Sequence, residues 1–176
     1  MVDHPVMPPS GACQPGDEPQ GEREDCAEEL VAIERLTAGQ AFHKTVQSAF
    51  LTGLAGASGF RERQWRLVRG GRGRVDLAVE VDGDEQMLVV IEIKGTDWDA
   101  IPADRVMRNL RRHLRQLQAY LDTAVEDMEA GQWEGIVGAL LYPARPASAE
   151  TLARIEAVAG EQAVQVTWYH DVDWRG

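Results

Sequence analysis

The sequence of 176 residues contains only two cysteines, Cys13 and Cys26, both near its N-terminus. Two cysteines are too few for a zinc or iron–sulfur cage, and disulfides are rare in the cytosol. The sequence also lacks an apolar run long enough to cross a bilayer. Its N-terminus lacks the basic start and apolar stretch of a secretory signal. These absences predict a cytoplasmic protein without a membrane partner.

Several motifs and repeats are absent as well. The chain has no internal repeat, no Gly-x-Ser-x-Gly nucleophile motif and no phosphate-binding glycine loop. The missing motifs disfavour a small-molecule hydrolase built on an unrelated α/β sheet. The composition, 44% hydrophobic and 27% charged, is that of an ordinary globular protein, and the length fits one domain.

The charge of the chain is unevenly distributed. The formal net charge is −11, which by itself disfavours a nucleic-acid partner, but the distribution of charge matters more than its sum. The segment from Met1 to Asp25 contains six acidic residues and one arginine, and it is rich in proline, glycine and glutamine. This composition predicts a disordered acidic N-terminal tail over residues 1–25 and a single domain over residues 26–176.

Hydrophobic periodicity predicts alternating helices and strands in the rest of the chain. The first helical region runs from Glu28 to about Leu54, and Gly39 within it indicates either a break or a close approach to another backbone. Further helices are predicted at about 103–129 and 149–160, and strands at 63–68, 75–81, 87–95, 135–143 and about 163–170. The order α-β-β-β-α-β-α-β predicts an α/β domain with a mixed sheet of about five strands flanked by helices.

The third predicted strand carries two charged residues in the stretch "VVIEIKGTDWDA". Glu92 and Lys94 lie two positions apart and therefore point to the same side of the strand. If the second and third strands form a hairpin, Asp76 of the second strand meets them at one end of the sheet. Two neighbouring carboxylates repel unless a divalent cation lies between them. The alternatives are a surface ion pair for Glu92 and Lys94 and a loop-capping role for Asp76.

Alternation within the second strand also predicts how its side chains divide between the two faces of the sheet. Asp76 shares one face with Ala78 and Glu80. The other face carries Val75, Leu77 and Val79.

Four motifs resemble those of a known superfamily. The "GRVD" stretch, followed by a hairpin and then "EIK", resembles the D…(D/E)xK signature of the PD-(D/E)XK nucleases, with Asp76, Glu92 and Lys94 at the motif positions. The "GQAFH" stretch ending at His43 and the "QLQAY" stretch ending at Tyr120 resemble the G-x-x-x-H and Q-x-x-x-Y motifs of the RecB-like branch. The resemblance implies a restriction-endonuclease-like core.

The resemblance also implies an activity and a set of roles. It implies a deoxyribonuclease that depends on Mg²⁺ or Mn²⁺ and acts in defence against foreign DNA or in DNA repair. Asp76 and Glu92 would hold the metal with His43 and the Ile93 carbonyl, and Lys94 would orient the attacking water. Gln116 and Tyr120 would contact the substrate or brace the site. The four-cysteine iron–sulfur cluster of some members is absent from this sequence.

The long helix supports this interpretation independently of the resemblance. At about 100° per residue, its leucines and Val106 fall on one narrow face that is expected to be core. A polar stripe at the edge of that face includes Asn109, His113, Gln116 and Tyr120. Arginines gather on the opposite side, and three of them are expected to contact DNA phosphates: Arg108, Arg112 and Arg115.

Other interpretations of these features stay open. The arginine face could be an ordinary solvated surface, and His43 could be a structural histidine. A different class of function is a non-catalytic nuclease-like module that binds protein or nucleic acid within a larger complex. Besides DNA, a protein partner or a homo-oligomer is compatible with the sequence.

Overall fold

A computed structural model describes residues 20–53, 58–67, 72–81, 86–129 and 133–172. The elements in chain order are α1 (Gln20–Gly53), β1 (Ser58–Arg66), β2 (Arg72–Val81), β3 (Met87–Ile93), α2 (Ala103–Glu129), β4 (Gly135–Tyr142), α3 (Ala149–Gly160), β5 (Val164–Trp168) and a 3₁₀ turn (Tyr169–Asp171). The predicted α/β class, with helices flanking a mixed sheet, is confirmed. Among the described residues, no helix is both long and apolar enough to span a bilayer.

The strands of the described sheet are arranged in chain order, β1-β2-β3-β4-β5. The first three pair antiparallel, whereas β3–β4 and β4–β5 pair parallel. This change follows from the connections. A short connection can join antiparallel neighbours, but a parallel pair needs a crossover such as α2 or α3.

Two apolar cores lie against the sheet. The α2-side core joins β3 and β4 to α2 and α3, and the α1-side core joins the sheet to Val46 of α1. The predicted core face of α2 is confirmed at four positions that are at most 4% exposed, and Leu121 is partly buried. The four buried positions are Val106, Leu110, Leu114 and Leu117.

Strand β2 changes core along its length, contrary to the prediction from simple alternation. Val75 belongs to the α2-side core, but Leu77 and Val79 belong to the α1-side core. The prediction that these three residues share one face was therefore wrong. The change occurs across Asp76, where backbone pairing of β2 with β3 also ends at the Leu77↔Ile91 pair.

Glycines explain part of the difference between predicted and observed strand bounds. Strand β1 begins earlier than predicted, at Ser58, and β2 begins at Arg72, inside the predicted "RGGRGR" turn. A Cβ at Gly73 would lie 2.3 Å from the Tyr120 ring. Gly73 is therefore required by a ring packed on the strand rather than by a turn. Residues 68–71 of the predicted turn region lie outside the described residues.

Helix α1 continues through Gly39, so the predicted alternative of a helix break is wrong and that of a close backbone approach is confirmed. A Cβ built on Gly95 would lie 3.0 Å from the Gly39 Cα, whereas a Cβ built on Gly39 itself would have no atom of the described segments within 4 Å. The close approach is therefore sensitive to a side chain at Gly95 and not to one at Gly39.

The chain divides into two compact units, Met1–Thr37 and Ala38–Gly176. The predicted acidic tail falls in the first unit. Its residues 1–19 lie outside the described residues, and residues 20–25 are the start of α1. The second unit contains the whole sheet, α2, α3 and the part of α1 that begins at Ala38.

Candidate active site

The candidate site lies where β2 and β3 separate. Beyond Leu77↔Ile91, the Asp76 side chain replaces the backbone of β2 as the partner of β3, because the Ile93 N–H donates to Asp76 Oδ2 at 2.9 Å. On its other side β3 stays paired with β4, and the Lys94 N–H donates to the Leu141 carbonyl. The Asp76 carboxylate is thus fixed at the end of the sheet.

Glu92 is a buried carboxylate with two differently placed oxygens. Its side chain is 1% exposed, and Lys94 Nζ donates to Oε1 at 2.6 Å. The other oxygen, Oε2, is buried, and no N–H or hydroxyl group of the described residues donates to it. Burial and the neighbouring charge of Asp76 raise the pKa of Glu92 to about 7, although Lys94 acts in the opposite direction. The Glu92 carboxyl group therefore binds a proton readily near neutral pH, and its Oε2 is a buried acceptor to which no described residue donates.

Helix α1 brings His43 close to Oδ1 of Asp76, the carboxylate oxygen other than the one that accepts from Ile93. His43 Nδ1 lies 3.6 Å from Asp76 Oδ1, and its side chain is 32% exposed. One helical turn later, the buried Gln47 donates from Nε2 to the Asp76 main-chain carbonyl at 2.9 Å. His43 and Gln47 therefore lie on one face of α1 and both contact Asp76.

The predicted motif on α2 also reaches the site. Lys94 Nζ donates to Gln116 Oε1 at 2.9 Å, and Gln116 Nε2 donates to the Tyr120 hydroxyl at 3.4 Å. The Tyr120 hydroxyl donates in turn to the Arg74 carbonyl of β2 at 2.9 Å. Burial raises the pKa of Tyr120, which keeps the phenol protonated and able to donate.

The three predicted phosphate-contacting arginines, Arg108, Arg112 and Arg115, are exposed on α2. Arg115 donates from Nε to the Arg111 carbonyl at 3.3 Å, within the same helix. Arg112 precedes Gln116 by one helical turn, so it projects from nearly the same side of α2. The three arginines are thus exposed on the helix that carries Gln116, and their contact with DNA stays a prediction.

Two buried polar residues lie beside the site: His113, which the sequence placed in the polar stripe of α2, and Tyr142, which it did not single out. His113 Nδ1 and the Tyr142 hydroxyl lie 3.0 Å apart, and the Trp98 ring packs on Tyr142 with centroids 5.0 Å apart. Burial, together with the positive charges of Lys94 and Arg112, lowers the pKa of His113 to about 3, so its imidazole stays neutral. Trp98 is 3% exposed and belongs to the α2-side core.

Gln47 was also missed, although its position carried a usable pattern. It is a polar residue on a helix face otherwise formed by Phe42, Val46 and Phe50. A buried amide on such a face needs a partner. The partner is a main-chain carbonyl 29 residues away, and periodicity gives no information about such a distant contact.

The donor set fits a hard divalent cation in part. Among the described residues, no three His, Cys, Asp or Glu side chains converge closely enough to form an assembled metal cluster. Two carboxylates are nevertheless adjacent, Glu92 Oε2 accepts from no donor in the described part of the chain, and His43 lies beside Asp76. Carboxylate oxygens suit Mg²⁺ and Mn²⁺. Ile93 contacts Asp76 through its N–H, and the predicted use of its carbonyl as a ligand stays a prediction.

Comparison with protein-family models, curated proteins and solved structures finds no match to this chain.

Proposed function

We propose that this protein is a metal-dependent deoxyribonuclease with a restriction-endonuclease-like core, of the RecB-like branch of the PD-(D/E)XK superfamily. The observation that carries the proposal is the contact of Lys94 with both Glu92 and Gln116, at the point where Asp76 joins β3. These residues come from three of the four predicted motifs, and His43 of the fourth lies next to Asp76. A surface ion pair would not require a buried glutamate.

The residues of the site have separate tasks in this proposal. Asp76 and Glu92 would hold the cation, with His43 and the Ile93 carbonyl as further ligands. When bound, the cation would polarise a phosphoryl oxygen and make a water molecule more acidic. The Lys94 ammonium would orient the attacking water and stabilise negative charge on the phosphate.

DNA is the proposed substrate because exposed arginines lie on the helix that carries Gln116. Each Arg108, Arg112 or Arg115 guanidinium can bind a phosphate, and such contacts position a strand without reading its sequence. The positive charges of these arginines offset part of the negative charge of the chain on the helix that carries Gln116.

A second candidate is a non-catalytic module that binds another protein or a second copy of the chain. The observation that favours it is the exposure of three large apolar side chains on α1, where Val31 is 44%, Ile33 53% and Leu36 64% exposed. Ile33 and Leu36 lie three residues apart on one side of α1, and adjoining exposed apolar side chains are typical of protein–protein contact surfaces.

The test of the first proposal combines cleavage with metal binding. We expect the wild type to cut single- or double-stranded DNA only with Mg²⁺ or Mn²⁺. Mn²⁺ should raise its melting temperature, because a ligand that binds only the folded state stabilises it. Asp76→Ala should lose both effects. Asp104→Ala, which changes an exposed acid of α2, should keep both.

Lys94→Ala separates catalysis from metal binding. We expect cleavage to fall by about 100- to 1,000-fold, the range seen when a group that stabilises transition-state charge is removed. The melting shift with Mn²⁺ should remain, since the lysine is not a ligand. Lys44→Ala is the matched control, because Lys44 is exposed and is the other lysine of the sequence. A wild type that never cleaves DNA, or equal Mn²⁺ shifts in wild type and Asp76→Ala, would contradict the proposal.

A further inference from the structure

We infer that Gln116 and Tyr120 are positioning residues for Lys94. They form a hydrogen-bond chain of fixed direction that runs from the Arg74 main-chain carbonyl to the Lys94 ammonium. This inference assigns them the bracing role rather than direct contact with substrate. Its catalytic consequence rests on the proposed nuclease function, but the chain of contacts does not.

The donor-to-acceptor direction of this hydrogen-bond chain is fixed at both of its ends. The Arg74 carbonyl can only accept, so the Tyr120 hydroxyl must donate to it. The Tyr120 oxygen then accepts from the Gln116 amide nitrogen. That orientation turns the Gln116 carbonyl oxygen towards Lys94, whose ammonium can only donate. If the Gln116 amide were flipped, its NH₂ group would face the Lys94 ammonium, and two donors would oppose one another.

The fold holds the far end of the chain rigidly. Tyr120 is 4% exposed and packs over Gly73, where a Cβ would lie 2.3 Å from its ring. Arg74 is the next residue of β2, two positions before Asp76. The hydrogen-bond chain therefore connects the Lys94 ammonium to the strand that carries the Asp76 carboxylate. The position of the ammonium is thus set relative to that carboxylate.

At the Lys94 end of the hydrogen-bond chain, two contacts limit the orientation of the ammonium group. Lys94 Nζ donates to Glu92 Oε1 and to Gln116 Oε1, and no other described residue accepts from it. An ammonium has three donors. With two directions fixed, the direction of the third N–H is also fixed, which is what a group that orients a water or a phosphate oxygen requires.

The sequence makes this inference directly measurable, because it contains two lysines, Lys44 and Lys94. Full-length protein labelled with ¹⁵N and ¹³C in lysine alone should give two ammonium groups by NMR. We expect the Lys94 ammonium to be ordered and the exposed Lys44 ammonium to be mobile. Gln116→Met, which keeps the side-chain length but removes the amide, should raise the mobility of Lys94 and leave Lys44 unchanged.

The matched control is Gln118→Met. Gln118 lies on the same helix and donates to Asp122 four residues later, as Gln116 does to Tyr120, but it is outside the chain of contacts. This variant should leave Lys94 ordered. Tyr120→Phe should raise Lys94 mobility less than Gln116→Met does. It should have no further effect in the Gln116→Met background, because residues acting through one chain are not additive.

Kinetics provide the second measurement. We expect Gln116→Met to lower kcat about 10- to 100-fold, as for loss of a hydrogen bond to a charged group, with little change in KM. A raised KM with unchanged kcat would overturn the inference, since it would make Gln116 a substrate contact. Unchanged Lys94 mobility in Gln116→Met, or a wild-type Lys94 as mobile as Lys44, would also overturn it. If the wild type cleaves no DNA, the proposed function fails, and the mobility measurement alone decides the inference.

Discussion

Glu92 is buried and also close to a second acid, and each of these properties disfavours its charged form. Its carboxyl group is buried, and Asp76 lies close enough to raise its pKa further. Lys94 donates to one of its oxygens, and the other receives no hydrogen bond from the residues that the structure describes. The metal-free protein is therefore expected to hold an extra proton at Glu92 near neutral pH, and this proton should leave when a cation binds.

The first prediction concerns stability against pH. The pKa of Glu92 is about 7 in the folded protein and 4.5 without the fold, so the folded state binds more protons between these values. The free energy of unfolding should therefore fall as pH rises from 4.5 to 7, by about 3 kcal/mol from this group. Denaturant titrations of wild type and Glu92→Gln without divalent ions measure this difference.

Glu92→Gln should remove this part of the pH dependence and be more stable than the wild type at pH 8. Glu126→Gln, a change on the exposed side of α2, should retain the wild-type slope. Parallel pH profiles for wild type and Glu92→Gln would show that Glu92 ionises normally.

At the scale of elements, α1 and the loop after β3 are in backbone contact through Gly39 and Gly95. A methyl group at Gly95 would lie 3.0 Å from the Gly39 Cα, so α1 would have to shift by a few tenths of an ångström, whereas a methyl group at Gly39 would meet no atom of the described residues within 4 Å. The two substitutions should therefore have opposite effects. Gly95→Ala should destabilise the fold by about 1–3 kcal/mol through overpacking, and Gly39→Ala should stabilise α1 by up to about 1 kcal/mol.

The same pair tests the position of His43, which lies one turn after Gly39 on α1. A shift of α1 away from Gly95 should move His43 from Asp76 and weaken the Mn²⁺-dependent melting shift. Gly39→Ala should keep that shift. If Gly95→Ala binds Mn²⁺ as the wild type does, His43 is not required as a ligand.

Helix α2 carries the second prediction at this scale. Replacing Arg108, Arg112 and Arg115 together by glutamine should weaken DNA binding and flatten its dependence on salt. Each phosphate contact contributes about 0.9 to the slope of log affinity against log salt. Fluorescence anisotropy over a salt series measures this slope. Arg154→Gln, an exposed arginine of α3, should leave it unchanged, and an unaltered slope in the triple variant would make the arginine face an ordinary solvated surface.

Local patterns predicted the elements better than the contacts between them. Alternation on β3 placed Glu92 and Lys94 on one side, and they are in contact. Periodicity also predicted the buried face of α2. Alternation failed on β2, because it assumes that a strand faces the same two layers throughout, and β2 changes core at Asp76. The contact of Gln47 with β2 joins distant parts of the chain, which a local pattern cannot encode.

At the scale of the whole molecule, charge and chemistry are separated along the chain. Residues 1–37 contain nine acidic and two basic residues, so they hold seven of the eleven net negative charges, and four remain for Ala38–Gly176. All of the candidate site residues lie in the second unit. The overall acidity is therefore mainly a property of the segment without the site.

This separation predicts that a variant lacking residues 1–37 binds DNA more tightly than the full chain at low salt, because less negative charge repels the phosphates. The difference should shrink above about 0.5 M salt, where charges are screened over a few ångströms. Binding isotherms at several salt concentrations measure it, and circular dichroism checks that the shortened chain is folded. Equal affinities at low salt would exclude electrostatic inhibition by residues 1–37.

The lengths of chain closed by the hydrogen bonds of the site imply an order of folding. The Asp76–Ile93 bond spans 17 residues within one hairpin, whereas Lys94–Gln116 spans 22, Gln47–Asp76 spans 29 and Tyr120–Arg74 spans 46. Contacts between distant residues form late, because loop closure must precede them. We therefore expect the two carboxylates to come together before α1 and α2 pack against them, with Lys94, two residues from Glu92, as the nearest counter-charge at that stage. Stopped-flow refolding should accordingly be slower for Lys94→Ala than for Gln116→Met.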